Sequence, residues 1–180
     1  MKKVIVLFGF ILITGTSFSL HAQNTYAATI TEQAGKMLQA FVDADYETLI
    51  NYTYPGIVDM LGGHDGAVEL TKMAMDGVYA GGGVLDSVYL GEPGNVVEAG
   101  KELHSSITQF VVMTMPGVTI KSASTLMAVS SDNGEHWTFL DIKQLTPELQ
   151  AILFPDYNEA LILPEAPPVE YMYVDSDGNE

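Results

Sequence analysis

The side chains that could hold a metal or shuttle a proton are few in this sequence, and their spacing gathers no set of them. His64, His104 and His136 lie far apart and none has a second His or a Cys at ligand spacing, so no metal centre is expected. Asp175-Ser176-Asp177-Gly178-Asn179-Glu180 begins as a calcium loop does, but its glycine comes early and no twelfth-position Glu follows. Gly81-Gly82-Gly83 follows a helical pattern instead of opening one and has no lysine within reach, which excludes a phosphate cradle. Neither a G-x-S-x-G elbow nor an H-E-x-x-H helix occurs, and no cofactor is expected. The other groups with acid–base capacity, Tyr46, Tyr54, Asp59, His104 and Asp141, belong to no motif that sets two of them side by side.

The stretch with the most definite local chemistry is Ser130-Ser131-Asp132-Asn133-Gly134-Glu135-His136-Trp137. Val118, Ile120, Leu126 and Ala128 precede it at two-residue spacing, and Trp137, Phe139, Leu140 and Ile142 follow as a second apolar run. A hairpin is the reading, with Asp132-Asn133-Gly134 as its turn, because Asp and Asn tolerate left-handed backbone angles and Gly takes them freely. Ser130, Asp132, Gly134 and Trp137 fit the S-x-D-x-G-x-x-W pattern and so resemble the Asp-box repeats of sialidase propellers. That resemblance implies a structural hairpin away from any catalytic centre, its Asp bonding turn amides and its Trp packing below. A propeller needs four or more blades, which one copy in 180 residues cannot build.

The elements that would position these groups change rhythm at the triple glycine. Before it, Ile30, Ala34, Met37, Leu38, Phe41 and Val42 recur on one helical face, opened by a Thr29-Ile30-Thr31-Glu32 capping box. Asp45 is placed to cap a short second helix carrying Leu49 and Ile50, and Pro55 to Gly63 forms a third. Asp65 is placed to cap a fourth, with Ala67, Leu70, Met73, Ala74, Gly77 and Val78 as its buried stripe. After Gly83 come strands at Val84–Leu90, Val96–Lys101 and Leu103–Met115, then the two arms of the hairpin, a meander of about five antiparallel strands. Thr146-Pro147-Glu148 starts a short helix that Leu149, Ile152 and Leu153 would dock on the sheet, and Pro164, Pro167 and Pro168 punctuate an acidic tail. Leu161 to Leu163 and Tyr171 to Val174 are apolar enough to lay the middle of that tail on the body.

Charge and ends set the compartment and exclude partners. Seven Lys+Arg face 23 Asp+Glu, for a net charge of −16, and every base is a lysine. Such a surface repels nucleic acid and anionic lipid, and the lack of arginine removes the planar fork that grips phosphate. Met1-Lys2-Lys3, the apolar Val4 to Ile13 and the small residues before Gln23 read as a secretory leader cut after Ala22. Without cysteine there is neither a disulfide nor a lipid anchor, so a periplasmic or extracellular protein, off the membrane after cleavage, is expected. The domain reading is a leader over 1–22, one α+β domain over 23–154 and the tail over 155–180.

Helices followed by a curved antiparallel sheet resemble the nuclear transport factor 2-like superfamily of cone-shaped α+β barrels, with a cystatin-like arrangement as the rival. The residues carrying it are Asp43-Ala44-Asp45-Tyr46-Glu47, the segment from Tyr54-Pro55 to Gly62-Gly63, and the strands closing on Trp137-Thr138-Phe139. Its isomerase, dehydratase and cyclase members imply a carboxylate base opposite a tyrosine or acid, and Tyr46, Tyr54, Asp59, His104 and Asp141 are the candidates for that role. Against it, Tyr46 and Tyr54 beside helix starts read as half-buried packers, and Asp59 as a solvated helix face. The expected function is therefore a secreted, non-enzymatic module binding a small apolar ligand or a protein partner; the alternative is an enzyme with an Asp/Tyr pair acting on a neutral apolar substrate. A homodimer through the Leu103 to Met115 sheet face is a further expectation.

Overall fold

The structure, a computed structural model, describes residues 17–173, with side chains described from Thr25 onward. The apolar stretch of the expected leader and the Asp175–Glu180 motif lie outside the described residues. Helix α1 runs Ser17–Val42 and buries Ile30, Ala34, Met37 and Leu38 along one face. The capping box expected at Thr29 does not form. The helix is already under way there, and the Thr29 hydroxyl bonds back to the Thr25 carbonyl at 3.1 Å, as a mid-helix threonine does. Ala44 ends the run with a left-handed φ of 55°.

Three further helices follow. The carboxylate of Asp45 accepts the Thr48 amide at 3.1 Å and caps α2, Tyr46–Asn51. Pro55 opens α3, Pro55–Met60, where its missing amide hydrogen costs nothing. Helix α4, Gly63–Ala80, starts three residues earlier than a cap at Asp65 predicts, with left-handed Gly62 (φ 93°) at its cap and Asp65 inside the first turn. Its buried stripe is also corrected. Ala67 and Met75 face inward, whereas Leu70 and Met73 are exposed, because α4 packs chiefly on α2 and α3.

Among the described residues six strands form one open antiparallel sheet: β1 Val84–Leu90, β2 Val97–Ala99, β3 Glu102–Met115, β4 Val118–Ser130, β5 Thr138–Asp141 and β6 Glu170–Tyr173. The long β3 and β4 pair along their whole length and form its spine. Strands β1 and β2 share the outer edge of β3, and β5 and β6 share the outer edge of β4. Beyond β5 the chain entering α3 closes the edge: Phe139 and residues 52 and 54 exchange backbone bonds of 2.8 and 2.9 Å. Strand β6 is the addition that the prolines of the tail concealed.

Both faces of the spine are covered. Every residue from Ala123 to Ser130 is buried, without the alternation of a one-sided sheet. Toward α1 lie Ile107, Leu126, Ala128, Trp137 and Phe139. On the opposite face Met127, Val129 and Leu140 pack with Ile57, Phe154 and Leu161, of which Phe154 is the last residue of the predicted domain and Leu161 lies beyond it. Helix α5, Pro147–Leu153, capped by Thr146, turns Leu149 and Leu153 toward this second cluster but leaves Ile152 exposed. The tail is fastened by polar bonds as well: Ser106 and Thr125 hydroxyls donate to the carbonyls of Ile162 and Pro164 at 2.9 and 2.6 Å. Among the described residues no helix is long and apolar enough to cross a membrane.

Candidate functional site

A cleft of about 320 Å³ lies between the helices α1 to α4 and the helix-facing side of the sheet. Register decides which side chains line it. Ile107, Leu126 and Asp141 are direct cross-strand neighbours, and Phe139 lies two residues along from Asp141, so all four point to the same face. Gln109 and Val111 continue that face along β3. From the helices come Met37, Leu38 and Phe41 of α1, Leu49 and Ile50 of α2, Ile57 of α3 and Thr71 of α4, and Leu140 of β5 adjoins the cleft as well. The wall is mostly hydrocarbon. Among the described residues its side-chain hydrogen-bonding groups are Thr53, Thr71, Gln109, Gln144 and Asp141, and Asp141 is the sole ionisable one.

Of the five residues singled out for acid–base work, only Asp141 lies in this cleft. It is half-buried at the end of β5, where one carboxylate oxygen accepts the Lys143 amide at 2.9 Å and caps a single 3-10 turn, Ile142–Gln144. Tyr46 is buried between α2 and α4, facing a separate surface hollow with Asp76 and Tyr79, and burial raises its hydroxyl pKa. Tyr54 lies on the other side of β5 against Phe154, its hydroxyl donating to the Leu153 carbonyl at 3.5 Å; burial first, and Glu102 second, raise its pKa. Asp59 is exposed on α3. His104 is buried on the tail-facing side of β3, its Nε2 3.0 Å from Glu102 and its ring edge-on to Phe154, with Nδ1 unpartnered among the described residues. No two of the five share a cavity.

The Ser130 to Trp137 hairpin has the geometry its residues imply. Ser130 Oγ accepts the Gly134 amide at 2.9 Å and donates to Asp132 at 2.8 Å. Asp132 in turn accepts the His136 amide at 2.9 Å and faces the His136 ring at 2.7 Å. The His136 amide above all, then the His136 ring and the Ser130 hydroxyl, hold the Asp132 carboxyl down to about 2 from an ordinary 3.8. Asn133 and Gly134 take the left-handed angles, φ 61° and 87°. Trp137 is fully buried, its indole N–H on the Gly134 carbonyl at 3.1 Å.

Sequence spacing missed what anchors this hairpin to the body. Gln33 of α1 accepts the Trp137 amide at 2.7 Å and donates to the Glu135 carbonyl at 2.8 Å. Tyr26 meets the Trp137 ring edge-on at 6.2 Å. Asp132, Glu135 and His136 also bring ligand atoms within 4.8 Å of one another, a grouping that three separated histidines did not suggest. Asp132 and His136 at i, i+4 were the available signal. Comparison with family models, with curated proteins and with solved structures finds no match to this chain.

Proposed function

We propose that this protein is a non-catalytic binding module that holds a small, largely apolar molecule in the cleft between its helices and its sheet. The observation that carries this is the cleft wall: Met37, Leu38, Phe41, Leu49, Ile50, Leu126 and Phe139 around a few hydrogen-bonding groups and one carboxylate. An apolar recess with few polar groups suits burial of hydrocarbon with one or two orienting contacts. At about 320 Å³ it lies at the small end of ligand cavities, which favours a compact ligand. An isomerase-type site needs a base and an acid within reach of one substrate, and the cleft wall contains no tyrosine to face Asp141. The order of helices then sheet agrees with the nuclear transport factor 2-like cone, and export by the leader sequence completes the proposal of a secreted binder.

The test is titration with a neutral solvatochromic dye. Thr71→Trp and Gln144→Trp fill the cleft from α4 and from the 3-10 turn, at positions that are half-buried and exposed. Saturable dye binding by the native protein, weakened tenfold or more in both variants while their circular dichroism is unchanged, is expected. Equal binding by all three proteins would place the dye elsewhere and refute the proposal.

A further inference from the structure

Asp141 gives the cleft a charge preference. We propose that its ligand is an amine: an apolar body on Met37, Leu38, Phe41 and Phe139 with a protonated nitrogen held by Asp141. This deepens the binding-module reading and rests on it. The carboxylate is aimed correctly, because Asp141 stands directly across from Leu126 on the helix-facing side of β5. It is also free to act. One oxygen is used by the Lys143 amide, and among the described residues Asp141 makes no ion pair. The neighbouring ammonium of Lys143 is turned away onto the Ala123 carbonyl at 3.1 Å.

Nothing else in the wall competes for or repels a cation. Among the described residues no lysine lines the cleft, and the chain has no arginine to receive an acid. Phe41 and Phe139 line the same recess, and an aromatic ring turned face-on attracts a cation further. The net charge of −16 concentrates cations around the whole molecule and depletes anions. A ligand carboxylate would meet Asp141 at close range without a counter-ion, so fatty acids and other apolar acids are excluded on the same grounds.

The experiment compares three ligands with one hydrocarbon cage: 1-aminoadamantane, 1-adamantanol and 1-adamantanecarboxylate. Calorimetric titration of the full chain at low salt is run on the native protein and on Asp141→Asn, whose amide oxygen can still cap the Lys143 amide. A charge-assisted bond at a half-buried site leads to an amine preference over the alcohol of about tenfold in the native protein, with the acid weakest. In Asp141→Asn the amine and the alcohol are expected to bind within about twofold of each other. The substitution removes a single charge and leaves the overall field nearly intact, so a preference that persists in Asp141→Asn would overturn the role of Asp141. Equal binding of amine and alcohol by the native protein would overturn the amine inference and leave the cleft proposal standing. Failure of all three ligands to bind would overturn both.

Discussion

Gln33 is the residue whose loss should be felt furthest from its own helix. Its amide joins α1 to the hairpin through two bonds, to Trp137 and Glu135, at a site only 9 % exposed. Gln33→Met keeps the volume but leaves the Trp137 amide buried without an acceptor, which should cost about 1–3 kcal/mol in urea unfolding. Asp132 yields a pH dependence. Because the fold lowers its pKa from 3.8 to about 2, its stabilisation is complete above about pH 4 and is lost as the pH falls toward 2. Its side chain is 38 % exposed and therefore screened, so the effect is small and best isolated by difference: the native protein should lose more stability over that window than Asp132→Asn. The four hairpin residues were legible because their partners lie within a few positions. Gln33 was not legible, since its partner is 104 residues away and nothing in its own neighbourhood distinguishes it from a surface glutamine.

At the scale of elements, the change from helix to strand at Gly81-Gly82-Gly83 was readable because glycine ends a helix for local reasons, here with Gly82 at φ 81°. The turns at Gly117 and Gly134 were readable on the same ground. The orientation of α4 was not. Its apolar residues occur around much of the helix, so periodicity alone does not fix the buried side, and the packing against α2 and α3 chose Ala67 and Met75 over Leu70 and Met73. Paired truncations discriminate the two faces. Met75→Ala should destabilise by about 2 kcal/mol or more, whereas Met73→Ala, 58 % exposed in the native protein, should stay within about 0.5 kcal/mol of it, both read from denaturant midpoints. The start of α1 was missed for a related reason: Thr29 and Glu32 have the spacing of a cap, but a capping pattern inside a longer helix is only a pair of polar side chains.

Across the whole molecule, the sequence pattern conveyed an α+β order, a short helix docked on the sheet and a tail lying on the body at Leu161, but not that these would cover the second face of the sheet. Strand β4 holds Leu126 and Ala128 against α1 and Met127 and Val129 against the tail, and the segment that supplies the second cover reads as an acidic, proline-broken extension. Its polar attachments run through main-chain carbonyls at Ile162 and Pro164, which any residue possesses and no side-chain motif announces. The candidate site divides in the same way. Asp141 could be named from its type, but the cleft around it is assembled from α1, α2, α3, α4 and three strands, and depends on a register that puts Asp141, Leu126 and Ile107 in one cross-strand row. The most direct measurement is methyl-resolved NMR of the native protein titrated with 1-adamantanol. Saturable shifts confined to the methyls that line the cleft, those of Leu38, Leu49, Ile50, Ile57, Leu61, Val111, Leu126 and Leu140, with Val129 and Leu161 on the opposite face unmoved, are expected; shifts centred on Val129 and Leu161, or none at saturating ligand, would contradict a binding cleft between helices and sheet.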